Sequence, residues 1–266
     1  MFIYILIGSI LFLISTFLAL QFIKETIYYK PSSTIIPIKE LKKIIKQESL
    51  PFYIKELNIT GYKSSIYSII FLNKKRTNKL VIFSHSTYES MYSKLYLIHL
   101  FSKSKINVLF YDYPSYGRSE GSLGEYYLEN TLETIIRHLN ENYNVTNNDI
   151  ILISEELMAA INLKIGIMFD IKNMILINPF IDVPSTIDNI KELEPMFIEI
   201  GKYICKNDYN TNKYLDKYEY PIIYVYDKEH KIVKKENIDK MLREKDKLIE
   251  CKFDSTIIKK IPILNI

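Results

Sequence analysis

Hydrophobic and polar positions follow two regimes along this chain. Residues 2–23, FIYILIGSILFLISTFLALQFI, run for 22 positions without a charge. At 1.5 Å rise per residue this length matches a hydrocarbon core of about 30 Å, which predicts one N-terminal transmembrane helix. A core helix of a globular domain would keep a polar face, and this run has none. A cleavable signal peptide would carry a basic leading region and a small-x-small cleavage site, where ALQ stands here. An uncleaved signal-anchor is therefore expected over 1–23, followed by a connector over 24–50 that holds Pro31, Pro37 and a short helix near 38–45.

Beyond residue 50 the pattern alternates. YIKELNIT (53–60) and SSIYSIIFLN (64–73), on either side of Gly61, predict an antiparallel hairpin. KLVIFS (79–84), INVLFYDY (106–113), DIILIS (149–154), KNMILINP (172–179) and YPIIYVYD (220–227) are continuous apolar runs, as in strands buried on both faces. Helical periodicity occupies 91–101, 125–139 and 157–169. Strands alternating with helices imply right-handed crossovers and a mostly parallel sheet with helices on both faces. Residues 180–219 lack a strand signal and predict a helical insertion, and KLIECKF (247–253) predicts a last strand. The reading is one α/β domain over 51–266 behind one membrane helix.

Composition adds exclusions. The 35 basic and 31 acidic residues are spread along the chain and give a net charge of +4, which leaves no nucleic-acid footprint. Cys205 and Cys251 form no metal motif and are expected as free thiols, a single bridge being the alternative. No metal or cofactor is expected. Lys24, Lys30, Lys39, Lys42, Lys43 and Lys46 follow the apolar run, so the positive-inside rule keeps the main domain cytosolic, on endoplasmic reticulum, another endomembrane or the plasma membrane. The sequons at Asn58 and Asn144 argue for a lumenal domain instead, although an Asn-rich chain produces sequons by chance.

In an open parallel sheet the chemistry gathers at the carboxyl ends of the strands. Here those ends are 84–90, 112–124, 154–158, 178–182 and 227–232. Three of the seven glycines, Gly117, Gly121 and Gly124, fall in or just after FYDYPSYGRSEGS (110–122). That segment resembles the D-Y-R-G-Y-G-x-S-x-G loop of membrane-anchored α/β-hydrolase-domain proteins of the bud-emergence type, and of serine-aminopeptidase-like hydrolases. VIFSHSTYES resembles the strand and H-G-N oxyanion loop of that family, ILINPF the strand and turn after its nucleophile helix, and PIIYVYDKEHKIV the strand ending in H-G-x-x-D-x-x-V. The match runs in order over about 54–255. It implies the α/β-hydrolase fold, hydrolysis of acyl esters or thioesters on lipid or acylated protein at a membrane surface, and no cofactor.

The residues that should do the chemistry depart from the family pattern. ILISEELMAA stands where the family has its nucleophile elbow, so Glu156 takes the place of the nucleophilic Ser, with Ser154, Met158 and Ala159 at the glycine positions. His230 takes the place of the acid and Phe253 that of the base. The oxyanion-loop positions are His85, Ser86 and Thr87, with Leu157 after the elbow. Acyl transfer needs a nucleophile, an imidazole and an orienting carboxylate, and Phe253 cannot move a proton. The expectation is a pseudoenzyme that keeps the scaffold and a cleft for a lipid or acyl ligand or a protein partner. The alternative is an active hydrolase of acyl esters or thioesters with a non-standard site, its Ser or Cys, His and acid lying outside the motif positions; a second alternative at the elbow is Glu156 attacking as the Asp of dehalogenases and epoxide hydrolases does. The elbow is expected to be relaxed, with Met158 crowding the nucleophile position and Glu156 either solvent-facing or paired with His230. Ser154 reads as a strand-end residue, His85 as a packing residue, and His99 and His138 as surface or half-buried positions.

Overall fold

The computed structural model describes residues 2–190, 194–251 and 261. Helix α1 (Phe2–Tyr28) is 27 residues long and apolar enough to cross a membrane. Its side chains from Leu6 to Leu18 stand clear of the rest of the protein, but its last turn does not. Ile27, Tyr28 and the following Tyr29 are buried in the main core. Helix α2 (Ile38–Gln47) presents Leu41 and Ile45 to the sheet and its lysines to solvent.

Eight strands form one sheet in the order β1-β2-β4-β3-β5-β6-β7-β8. β1 (Phe52–Gly61), β2 (Ser64–Asn73) and β4 (Asn107–Tyr111) pair antiparallel. β3 (Leu80–Ser84), β5 (Ile150–Glu155), β6 (Asn173–Ile177), β7 (Ile222–Asp227) and β8 (Lys247–Cys251) continue the sheet in parallel, beginning with the β4/β3 pair. The continuous apolar runs follow from burial on both sides. In β5, Ile150 and Leu152 join the core under α4 and α5, whereas Ile151 and Ile153 join the core under α2 and the 91–101 segment.

The segment from Met91 differs from the single helix its periodicity predicts. It is a 3₁₀ turn over Met91–Leu97 that continues into α3 (Ile98–Phe101). A three-residue repeat aligns Met91, Lys94 and Leu97 on one buried row, so a lysine enters the interior with its apolar neighbours. Helix α4 (Glu125–Tyr143) starts after Gly124 at φ 140° and ends at Asn144 in the left-handed conformation, burying Leu128, Leu132, Ile135, Ile136 and Leu139. Helix α5 (Met158–Met168) is buried on nearly every side behind the sheet's centre.

Between β6 and β7 the chain leaves the sheet, passing through α6 (Pro195–Ile204) and α7 (Asn212–Leu215). α6 rests on α1, and α7 on α5. Helix α8 (Lys235–Asp239) connects β7 to β8. Cys205 and Cys251 are both buried and are not bridged to each other.

Candidate functional site

The carboxyl ends of β3, β5, β6 and β7 enclose a cavity of about 280 Å³ lined by Ser86, Glu89, Lys94, Tyr96, Glu155, Glu156, Ile177, Asn178, Asp227 and His230. Its centre is the turn out of β5. The strand continues one residue beyond the DIILIS run, because Glu155 still pairs with Ile177 of β6. Glu156 then takes φ 49°, and Leu157 and Met158 begin the helix. The reversal is held on both sides: Glu156 N–H donates to Ile177 O (3.0 Å), and Phe180 N–H donates to Glu156 O (3.2 Å). The elbow is therefore not relaxed. The sheet register imposes the left-handed conformation on whatever residue stands there, at a cost of roughly 1–2 kcal/mol for a side chain with a Cβ. Met158 does not crowd the site either, since the first turn of α5 aims it into the core, where it is fully buried.

Both carboxylate oxygens of Glu156 are engaged. Oε1 lies 2.8 Å from His230 Nε2, and Oε2 accepts the Ser86 hydroxyl at 2.7 Å. His230 is fixed from behind, its Nδ1 accepting the Val233 N–H at 3.0 Å and its own N–H bonding Asp227 O. An Nδ1 that accepts carries no proton, so the imidazole hydrogen is on Nε2 and points at Glu156. The His230 turn is braced by Asn178, which sits at φ 42° and accepts the Asp227 N–H (2.8 Å).

A second carboxylate fills the neighbouring position. Glu155 Oε2 accepts the backbone N–H of Ser86 at 2.9 Å, while Oε1 lies 2.9 Å from Lys94 Nζ. Lys94 also meets Glu89 at 2.7 Å, forming a carboxylate–ammonium–carboxylate row under the loop after β3. Burial pushes Glu155 up to about 7 against the pull of Lys94. For Lys94 burial works against the charge, but Glu155 and Glu89 outweigh it and hold the ammonium well above its ordinary value.

The loop that carries Ser86 is tied down by tyrosines. The hydroxyls of Tyr113 and Tyr116 donate to His85 O and Thr87 O, and that of Tyr88 donates to Ile27 O at the end of α1. Thr87 O also accepts the Lys30 N–H at 3.0 Å. His85 is fully buried outside the cavity, its ring stacked on Tyr113 with centroids 4.2 Å apart and Nδ1 on Ser86 O at 2.7 Å. Burial pushes His85 down to about 4 and its neighbour Asp112, 3.7 Å away, up to about 6.

No protein-family model matches the chain. It is 30% identical over 185 residues, 65% of its length, to an uncharacterized protein of Acanthamoeba polyphaga mimivirus, and spans 62% of that curated relative. Among solved structures, an α/β-hydrolase from Vibrio vulnificus superposes with a TM-score of 0.70 at 15% identity, covering 87% of this chain and 84% of that one. An esterase of Pyrococcus furiosus gives 0.64 at 18% identity, covering 89% and 93%. A thioesterase domain from the curacin biosynthetic pathway gives 0.57 at 12% identity, covering 77% and 95%. This is the α/β-hydrolase fold.

On the α/β-hydrolase fold the turn after β5 presents the nucleophile, and backbone N–H groups of the loop after β3 and of the residue after the nucleophile receive the oxyanion. Glu156 stands at that turn with φ 49°. Ser86 offers the loop N–H, and Glu155 has taken it. Leu157 follows the elbow as a buried residue in helical conformation. Ser154 is buried inside β5 opposite Ser84 and does not line the cavity. Phe253 lies outside the described residues, two positions beyond the end of β8. His99 is about half exposed and 3.0 Å from Glu48, and His138 is partly exposed on α4.

The structure unites Glu156, His230 and Ser86, and adds Glu155, Lys94 and Glu89, to which no motif had assigned a role. Glu155 was visible as the doubled acid in SEEL. Lys94 carried no signal, since MYSKLYLIHLF reads as an amphipathic helix with its lysine facing water.

Proposed function

We propose that this chain is a membrane-anchored α/β-hydrolase-fold protein, similar to the bud-emergence type, that has given up serine-type acyl transfer and works as a scaffold or as a binder of a lipid, acyl or protein partner. The observation that carries this reading is self-occupancy. Glu156 fills the nucleophile position and is pinned by Ser86 and His230, and Glu155 fills the loop's oxyanion donor. A substrate carbonyl would have to displace a buried carboxylate from the Ser86 N–H before any charge on its oxygen could be stabilised there. His230 has no free lone pair for a hydroxyl or water proton, because one nitrogen bonds Val233 N–H and the other donates to Glu156. The exposed apolar length of α1 supports membrane anchoring, and the lysines after it support a cytosolic domain.

One observation favours a second reading. Glu156 keeps the left-handed elbow and sits 2.8 Å from an imidazole, as a carboxylate nucleophile would. The deciding experiment uses the full chain in lipid nanodiscs, exposed to a serine-hydrolase activity probe and a panel of acyl esters and thioesters, beside Glu156→Ala. The expected outcome is no labelling and no turnover. Turnover that disappears in Glu156→Ala would replace this reading with the carboxylate one, and labelling of any serine would overturn both.

A further inference from the structure

Helix α6 and the end of α1 form one continuous surface. Charge first appears on α1 at Lys24 and Glu25, after residues 2–23, which rise about 33 Å as a helix. Lys24 is not free in solution but bonds Asp208 at 2.7 Å, in the stretch that follows α6. Phe197 of α6 meets Phe22, Ile23, Thr26 and Ile27 around a small apolar cavity, so the first turn of α6 lies level with the last uncharged turn of α1. The crossing is tight. A Cβ on Gly201 would come within 2.7 Å of Ile27 Cδ1 and 2.5 Å of Ile187 Cδ1, so a larger residue there would have to push these side-chain ends aside.

The outer face of α6 is apolar at both ends. Met196 is 64% exposed and Tyr203 84%, with Glu199 between them paired to Lys202 at 3.0 Å. A methionine and a tyrosine suit the boundary between lipid headgroups and acyl chains, where amphipathic helices lie flat and tyrosine is enriched, and the exposed Glu199, sharing Lys202 with Asp188, suits its headgroup side. We propose that α6 is seated in that boundary layer of the bilayer, beside α1, and that Met196 and Tyr203 are its lipid contacts. This rests on the reading of α1 as a membrane-spanning helix, since continuity with α1 sets the depth of α6.

The test places an environment-sensitive fluorophore on Met196→Cys, Tyr203→Cys, Phe12→Cys and Met168→Cys in the full chain. Each variant is reconstituted into phosphatidylcholine vesicles with bromine at defined acyl-chain depths, and the unsubstituted chain is the background for the buried Cys205 and Cys251. Phe12 lies mid-span in α1, and Met168, 53% exposed, closes α5 at the far end of the fold. The expected result is deep quenching at 12, quenching of 196 and 203 to about half by shallow bromines, as for a helix about 5–10 Å into the boundary, and none at 168. If 12 is quenched while 196 and 203 behave like 168, the seating of α6 is overturned and the span of α1 stands. If 12 is not quenched either, both fall.

Discussion

Removing the ammonium of Lys94 tests whether the row beneath the Ser86 loop holds the site together. In Lys94→Met the side-chain length is kept and the charge is lost, leaving Glu155, 6% exposed, with no cation. At 2.9 Å and an effective dielectric of about 20, the Lys94–Glu155 attraction is about 6 kcal/mol gross. Part of that offsets desolvation, and breaking one side of a buried pair typically destabilises by about 3–5 kcal/mol. The contact with Glu89 is discounted because that carboxylate is 40% exposed. The loss should depend on pH with a definite sign. The folded-state value of Glu155, about 7, lies above the ordinary carboxylate value, so the folded protein holds this proton more tightly than the unfolded chain does. The stability from that proton is full below the ordinary value and disappears as pH rises through about 7. Without Lys94 the window moves higher still, so Lys94→Met should lose about 3–5 kcal/mol at pH 8 and clearly less at pH 5, where Glu155 is protonated. Denaturant titration in detergent micelles, followed by far-ultraviolet circular dichroism, measures both values. Adding Glu155→Gln, which keeps an acceptor for the Ser86 N–H, should restore much of the loss. A deficit under about 1 kcal/mol, or the same deficit at pH 5 and pH 8, would refute the argument.

Two further substitutions probe the turns on either side. Glu156→Gly removes left-handed strain of roughly 1–2 kcal/mol but also two charge-assisted hydrogen bonds of about 1.5–3 kcal/mol each, so a net loss of about 1–5 kcal/mol is expected by the same titration. A gain in stability would mean the carboxylate is held there at a cost, as catalytic groups are, and would favour the carboxylate-nucleophile reading. Gly117→Ala should lose about 2–4 kcal/mol, because its φ is 50° and the new Cβ would lie 2.2 Å from Asp112 Oδ2, on a carboxylate fixed by the Met91 N–H. A near-neutral melting shift would show that the Asp112 side chain yields freely.

The fold was legible because burial on both faces leaves continuous apolar runs, and each of the eight strands falls on a segment whose pattern announced it. The order of those segments, with the 110–122 loop, also carried the α/β-hydrolase resemblance. The site was legible only in part. Glu156 and His230 could be placed by motif, but the shape of the elbow could not. Its left-handed turn comes from Ile177 and Phe180, partners across the sheet rather than neighbours in the chain. The Glu89–Lys94–Glu155 row was hidden for a related reason. A lysine in an amphipathic stretch looks solvated until a 3₁₀ repeat turns it inward toward a carboxylate 61 positions away.

The end of α1 has a mechanical consequence. Flexible linkers let a tethered domain sample every orientation above its membrane. Here no such leash exists: Ile27, Tyr28 and Tyr29 are buried in the domain core, and Lys30 is bonded to the loop that carries Ser86. With α1 in a bilayer, the helix would work as a rigid axle, and its tilt, which responds to bilayer thickness, would become the tilt of the whole body. A thicker or thinner membrane would then re-aim the mouth of the cavity relative to the membrane plane.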